Sequence, residues 1–213
     1  MAKILNWHIF RSEIKKRGIL IFTPHDVARI FNISAVAVSF FLFRNTRKGL
    51  LIRLKKSQKG SLYCFADEIP NRYLIANRIY EPSYISFDTA LSYHSIIPES
   101  VYTIYSATPK STREFVITDI RFMYHRIKKS VYVGYEPVQY QNTTILMASA
   151  EKALADYLYF VIIKKRTLQY ERLALERIDR KKMFSFIKLY GKTSLEDLVT
   201  EIYADYRKNK RTH

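Results

Sequence analysis

The stretch Thr23–Gly49, TPHDVARIFNISAVAVSFFLFRNTRKG, decides how the rest of the chain is read. Thr23 is a helix-capping residue type, and the fixed φ of Pro24 suits a first helical position, so a helix is predicted over roughly 24–31. Asn32-Ile33-Ser34 makes a short break, and Ser34 is a second cap. The spacing of Val38, Phe41 and Leu42 carries a further helix to about Lys48, where Gly49 stops it. Two short helices across a tight turn have the spacing of a helix-turn-helix, whose second helix enters a major groove. Such a helix buries one stripe and keeps polar or small side chains on the other. Val38, Phe41 and Leu42 are therefore expected in the core, and Ser34, Ala35, Ser39, Arg44, Arg47 and Lys48 are expected to face DNA. Phe40 and Phe43 fit neither set: one helix cannot bury so many large apolar positions in succession without some facing outward or a neighbouring element to cover them, and packing against the first helix or a hairpin wing is open to either.

Upstream, Leu5, Ile9, Phe10 and Ile14 recur at helical spacing, and Lys15-Lys16-Arg17-Gly18 supplies a basic end and a stop. The apolar run Ile19–Phe22 has the length of a short strand. Downstream, the β-prone runs 50–54 and 62–65 flank Lys55-Lys56-Ser57-Gln58-Lys59-Gly60-Ser61, which predicts a hairpin with a basic tip, that is, a wing. Arg44 and Arg47 are long enough to reach guanine edges or phosphates. Arg53, Lys55, Lys56 and Lys59 on the wing are expected on phosphates, which fix position without reading sequence. Residues 1–66 hold thirteen Lys and Arg against two acids, Glu13 and Asp26, a net +11 of the chain's +17. An excess of that size attracts phosphate across several ångströms of solvent.

At 213 residues the chain suits one large or two modest domains, and the Asp67–Asn71 segment with Pro70 divides it into 1–68 and 69–213. The lone Cys64 excludes an intramolecular disulfide and a zinc ribbon. The first ten residues are interrupted by Lys3, Asn6 and His8, unlike a secretory signal, and no apolar run reaches the ~18 residues of a membrane span. A soluble cytoplasmic protein is expected, without membrane association, metal or cofactor. His94 and His125, near Asp88 and Asp119 in sequence, show no His-x-x-x-His or His-x-Glu spacing, and there is no Gly-rich phosphate loop. Glu151-Lys152 lacks the intervening residue of a Glu-x-Lys nuclease motif. Both histidines are expected to be hydrogen-bonded structural residues, and the chain is not expected to be an enzyme.

Three runs beyond the hairpin carry a family resemblance: PSYISFDTALSYHSIIPESVYTIYSATPKSTREF (82–115), FMYHRIKKSVYVGYEP (122–137) and ILMASAEKALADYLYF (145–160). Within them lie a Tyr-Ile-Ser segment leading to Ala90-Leu91-Ser92-Tyr93-His94, then Ala107-Thr108-Pro109, His125-Arg126-Ile127, and Ala148-Ser149-Ala150-Glu151-Lys152-Ala153-Leu154. In this order, over about residues 20–165, the chain resembles the AbiEi-type antitoxins of type IV toxin-antitoxin systems, also described as predicted regulators of viral defence. Ala150 stands where that family has proline; Ser149 still suits a cap and Glu151 the positive helix end. The resemblance implies an α+β protein, with a winged helix-turn-helix followed by a mixed α/β antitoxin domain that ends in helices. It also implies repression of the protein's own operon and antagonism of a nucleotidyltransferase-like toxin, with or without a stable complex.

Beyond Ser149 the pattern reads as helical to the end. Leu154, Tyr157, Leu158, Val161 and Ile162 form a buried stripe, Asp179 caps a helix through Tyr190 closed by Gly191, and Ser194 opens the last helix. Lys164, Lys165, Arg166, Arg172, Arg177, Arg180, Lys181 and Lys182 make this region locally basic. It is read as a solvated surface paired with Glu171, Glu176 and Asp179, and alternatively as a second DNA-contacting surface. Seventeen tyrosines admit an RNA- or single-strand-binding protein as a rival. Tyr102, Tyr105, Tyr132 and Tyr135, however, lie on strand-like segments where packing is the simpler account. A winged-helix regulator without a toxin partner, or a winged helix that binds protein, also remains open.

Overall fold

The computed structural model describes residues 5–56, 60–163 and 173–209. The chain forms two compact units, Met1–Ile79 and Tyr80–His213. The division falls after Ile79 rather than at 68/69, and a helix downstream of the predicted connection belongs to the first unit. The class is α+β, as the sequence predicts.

In the first unit, α1 (Trp7–Lys16) starts after Asn6, whose side chain accepts from the His8 amide at 2.8 Å. Next comes α2 (Pro24–Phe31), opened by a reciprocal capping box. The Thr23 hydroxyl accepts from the Asp26 amide at 3.1 Å, and the Asp26 carboxylate accepts from the Thr23 amide at 2.9 Å. Asn32, at φ 49°, ends α2 in the left-handed conformation that asparagine tolerates. Ser34 then caps α3 (Ala35–Arg47), accepting from the Ala37 amide at 3.3 Å. The chain bends by 118° between α2 and α3.

A hairpin follows, with β1 (Leu51–Lys55) antiparallel to β2 (Leu62–Phe65), and then α4 (Arg72–Ile79). The strand expected at 19–22 shrinks to one bridge, in which Phe22 and Tyr63 exchange backbone hydrogen bonds of 3.0 and 2.9 Å. Phe10, Ile14, Phe22, Val27, Val38, Phe41, Leu42, Leu51, Tyr63 and Phe65 form one core. The first three helices and the hairpin therefore share a single apolar centre, whose burial is the main stabilising term.

The second unit is built on a six-stranded mixed sheet in the order β5-β6-β4-β3-β8-β7. Its strands are β3 (Tyr84–Ile85), β4 (Ile104–Thr108), β5 (Arg113–Ile117), β6 (Ile120–Arg126), β7 (Tyr135–Tyr140) and β8 (Thr143–Ala148). Two hairpins turn on residue pairs with positive φ, Thr118-Asp119 (45° and 64°) and Gln141-Asn142 (45° and 59°). That backbone twist matches paired strands. Between the hairpins, β3 runs antiparallel to β4 and parallel to β8. The helices are α5 (Phe87–Tyr93), α6 (Ala150–Ile162), α7 (Arg180–Leu189) and α8 (Thr193–Asn209), and α6 packs against the other three. Ser149 caps α6, accepting from the Lys152 amide at 3.3 Å, so the cap forms without proline at position 150.

The described residues beyond Ser149 are not helical throughout: a short 3-10 helix, Leu175–Arg177, is flanked by irregular residues 173–174 and 178–179. Among the described residues no single helix is long and apolar enough to cross a membrane.

Candidate nucleic-acid interface

The helix spacing of α3 sorts its side chains into two opposite stripes. Val38, Phe41, Leu42 and Asn45 are buried, and the Asn45 amide donates to the Phe41 carbonyl at 2.8 Å, which satisfies its burial. Ser34, Ala35, Ser39, Arg44, Arg47 and Lys48 are all exposed. At about 100° per residue, however, Ala35, Ser39 and Arg44 occupy the flanks of the outward face, only Arg47 lies near its middle, and Ser34 and Lys48 are the caps at the two ends of α3. The middle belongs to Val36, Phe40 and Phe43, exposed by 66%, 65% and 56%.

Of the two alternatives for Phe40 and Phe43, both rings take the outward-facing one and are not covered by α1 or the hairpin. With Phe41 already buried on the opposite side, one helix cannot turn all three rings inward. Together with Ala35, Val36 and Ser39 the two rings form an open, mostly apolar face along α3, and the Arg47 guanidinium lies over the Phe43 ring at 5.9 Å from its centroid. Sequence reasoning singled out Phe40 and Phe43 but not Val36, and counted none of the three among the site residues because it required a polar outward face. Their spacing of four and then three residues, continued by Arg47, was a signal that could have placed them there.

On the hairpin, Arg53 and Lys56 are exposed. Lys55 points elsewhere: its ammonium donates to the Ile79 carbonyl at 2.6 Å, at the end of α4. Lys59 lies outside the described residues, as do Lys164, Lys165, Arg166, Glu171 and Arg172 of the basic C-terminal region. On α1, Arg11 pairs with Asp67 at 2.5 Å and Lys15 with Glu68 at 2.8 Å, so two cations of the first unit are partly neutralised by its own acids. Cys64 is buried on β2, and burial pushes its thiol up to about 12, far from a reactive thiolate.

In the second unit the motif residues that suggested chemistry are built into packing. His94 Nε2 donates to the Ala148 carbonyl at 2.9 Å, and the His125 ring lies among Tyr105, Phe87 and Phe160. Lys152 and Asp156, one turn apart on α6, are both fully buried. Asp156 accepts from the Lys152 ammonium, the Tyr190 hydroxyl, Tyr84 at 3.0 Å and Ser86 at 2.7 Å. This donor set ties α6 to β3 and to the end of α7. Burial first, and then the Asp156 charge, hold the Tyr84 and Tyr190 hydroxyls well above the ordinary tyrosine value of 10.0. Gly134, at φ +76°, lies so close that an added Cβ would meet the Phe186 ring at 2.6 Å.

Glu151 pairs with Lys182 at 3.1 Å. Asp179 caps α7 through the Lys182 amide at 3.0 Å, and Glu176 accepts from the Tyr206 hydroxyl at 3.1 Å. Tyr105 and Tyr135 sit in strands, and Tyr132 packs on Tyr84 and Tyr135. Tyr102 departs from its expected strand packing and stands 85% exposed, outside any strand. Among the described residues no group of three His, Cys, Asp or Glu is placed to hold a metal ion.

In comparisons with known proteins, no family model matches the chain, and none of the curated proteins matches it.

Proposed function

We propose that the chain is a cytoplasmic DNA-binding transcriptional repressor whose first unit is a winged helix-turn-helix. In this reading α3 is the recognition helix and the β1–β2 hairpin is the wing. The observation that carries it is the 118° bend between α2 and α3 across the three residues Asn32-Ile33-Ser34, followed by a hairpin packed on the same core. That crossing and turn length suit a helix-turn-helix. Charge supports the same reading, since Arg44, Arg47, Lys48, Arg53 and Lys56 are exposed on α3 and the hairpin. The ordered motifs of residues 82–160 support an antitoxin role for the second unit, autoregulating its operon and antagonising a nucleotidyltransferase-like toxin.

The double charge reversal Arg44→Glu with Arg47→Glu is expected to weaken binding to the DNA upstream of the protein's own reading frame about 100-fold or more, measured by fluorescence anisotropy. Wild-type affinity should also fall steeply with salt as condensed counterions are released. Unchanged affinity in the variant would remove α3 from the interface. Growth rescue on co-expression with the product of a neighbouring nucleotidyltransferase-like reading frame tests the antitoxin role separately.

A further inference from the structure

The outward face of α3 is poorly suited to reading bases through hydrogen bonds. Its middle carries Val36, Phe40 and Phe43, whose side chains neither donate nor accept, and Ser39 is the one hydroxyl beside them on that face. Arg47, the cation in line with the ridge, is stacked over Phe43. Duplex DNA offers one apolar feature in its major groove, the C5-methyl group of thymine.

We propose that α3 selects its DNA through thymine methyl groups, with Val36, Phe40 and Phe43 packed against them and the surrounding cations on phosphates. This rests on the DNA-binding reading and names the sequence chemistry that reading leaves open. From Val36 to Phe43 the ridge spans roughly 10 Å of helix. That is about three base pairs at about 3.4 Å each, so the preferred site holds a short thymine-rich run. Charge selects DNA over an apolar protein or a second copy as the occupant. The ridge is flanked by Arg44 and Lys48 and belongs to a segment with a net +11 over residues 1–66, which repels its own copy and attracts a polyanion.

The test uses the full chain and the DNA upstream of its own reading frame, amplified once with thymidine triphosphate and once with deoxyuridine triphosphate. Uracil keeps every hydrogen-bonding group and lacks only the methyl. Wild-type protein is expected to bind the uracil duplex roughly tenfold to fiftyfold more weakly, the effect of two or three methyl contacts. The variant Phe40→Ala with Phe43→Ala should bind the thymine duplex weakly and discriminate little between the two. Because both rings are exposed, its thermal unfolding should match wild type. Equal wild-type affinity for the two duplexes overturns the methyl proposal while leaving DNA binding intact. Failure to bind either duplex overturns the DNA-binding reading itself. A dimer in sedimentation that the double variant dissolves, or ridge-dependent binding to anionic phosphatidylserine vesicles, would instead assign the ridge to a second copy or to lipid and overturn the proposal.

Discussion

Replacing Asp156 with alanine leaves the Lys152 ammonium without its carboxylate and the Tyr84, Ser86 and Tyr190 hydroxyls without their acceptor, all in a buried setting. The Asp156→Ala variant is expected to lose about 3–5 kcal/mol of stability in urea unfolding. The paired replacement Lys152→Met with Asp156→Leu should recover much of that, because it removes both charges together. A loss below about 1 kcal/mol in the single variant would show that the network is not needed for the fold. The same tyrosines set an alkaline limit. Their folded values lie above 10.0, so their contribution is fully present below pH 10.0 and is lost as the pH rises through the folded values. Tyrosinate absorbance of these two residues should therefore appear together with unfolding, in a spectroscopic alkaline titration.

Helix ends show how far local chemistry reaches. Truncating the cap in Thr23→Ala is expected to cost about 1 kcal/mol, read as a lower melting temperature, because it removes the hydroxyl that accepts from the Asp26 amide and leaves only the backbone half of the box that opens α2. Asp26 adds an acid dependence to the same element. Burial alone would raise its carboxyl, but the Thr23 hydroxyl and amide and the Arg29 charge hold it below the ordinary 3.8. Its contribution is present above pH 3.8 and is lost as the pH falls through the lowered value, a loss Thr23→Ala should blunt.

The start of α2, the caps Ser34, Ser149 and Asp179, and the stop at Gly49 were legible in the sequence, because each depends on residues within one turn. What lay beyond it depends on distant partners. Lys55 reads as a wing cation until Ile79 is known to lie beside it. Phe22 reads as part of a strand, yet only its exchange with Tyr63 survives. The two residues of β3 have too little pattern to announce that they join β4 to β8. The middle of α3 was legible and was passed over, because an apolar ridge on an outward face contradicts the expectation of a polar one.

For the whole molecule, the division after Ile79 matters more than the total charge. The first unit has its own core, and its net positive charge is concentrated within residues 1–66. A fragment ending at Ile79 is therefore expected to unfold cooperatively by circular dichroism and to keep DNA affinity within about tenfold of the full chain at low salt. A fragment that folds but does not bind would place part of the interface in residues 80–213.

The pairing of β3 has a consequence of another kind. Ile85 meets Met147, a partner that leaves the ribosome about sixty residues later, whereas the hairpin that completes the first core is finished by Phe65. During synthesis the basic front unit can thus be structured before the middle of the larger sheet exists, and nascent chains carry a folded first unit ahead of an unfinished second one.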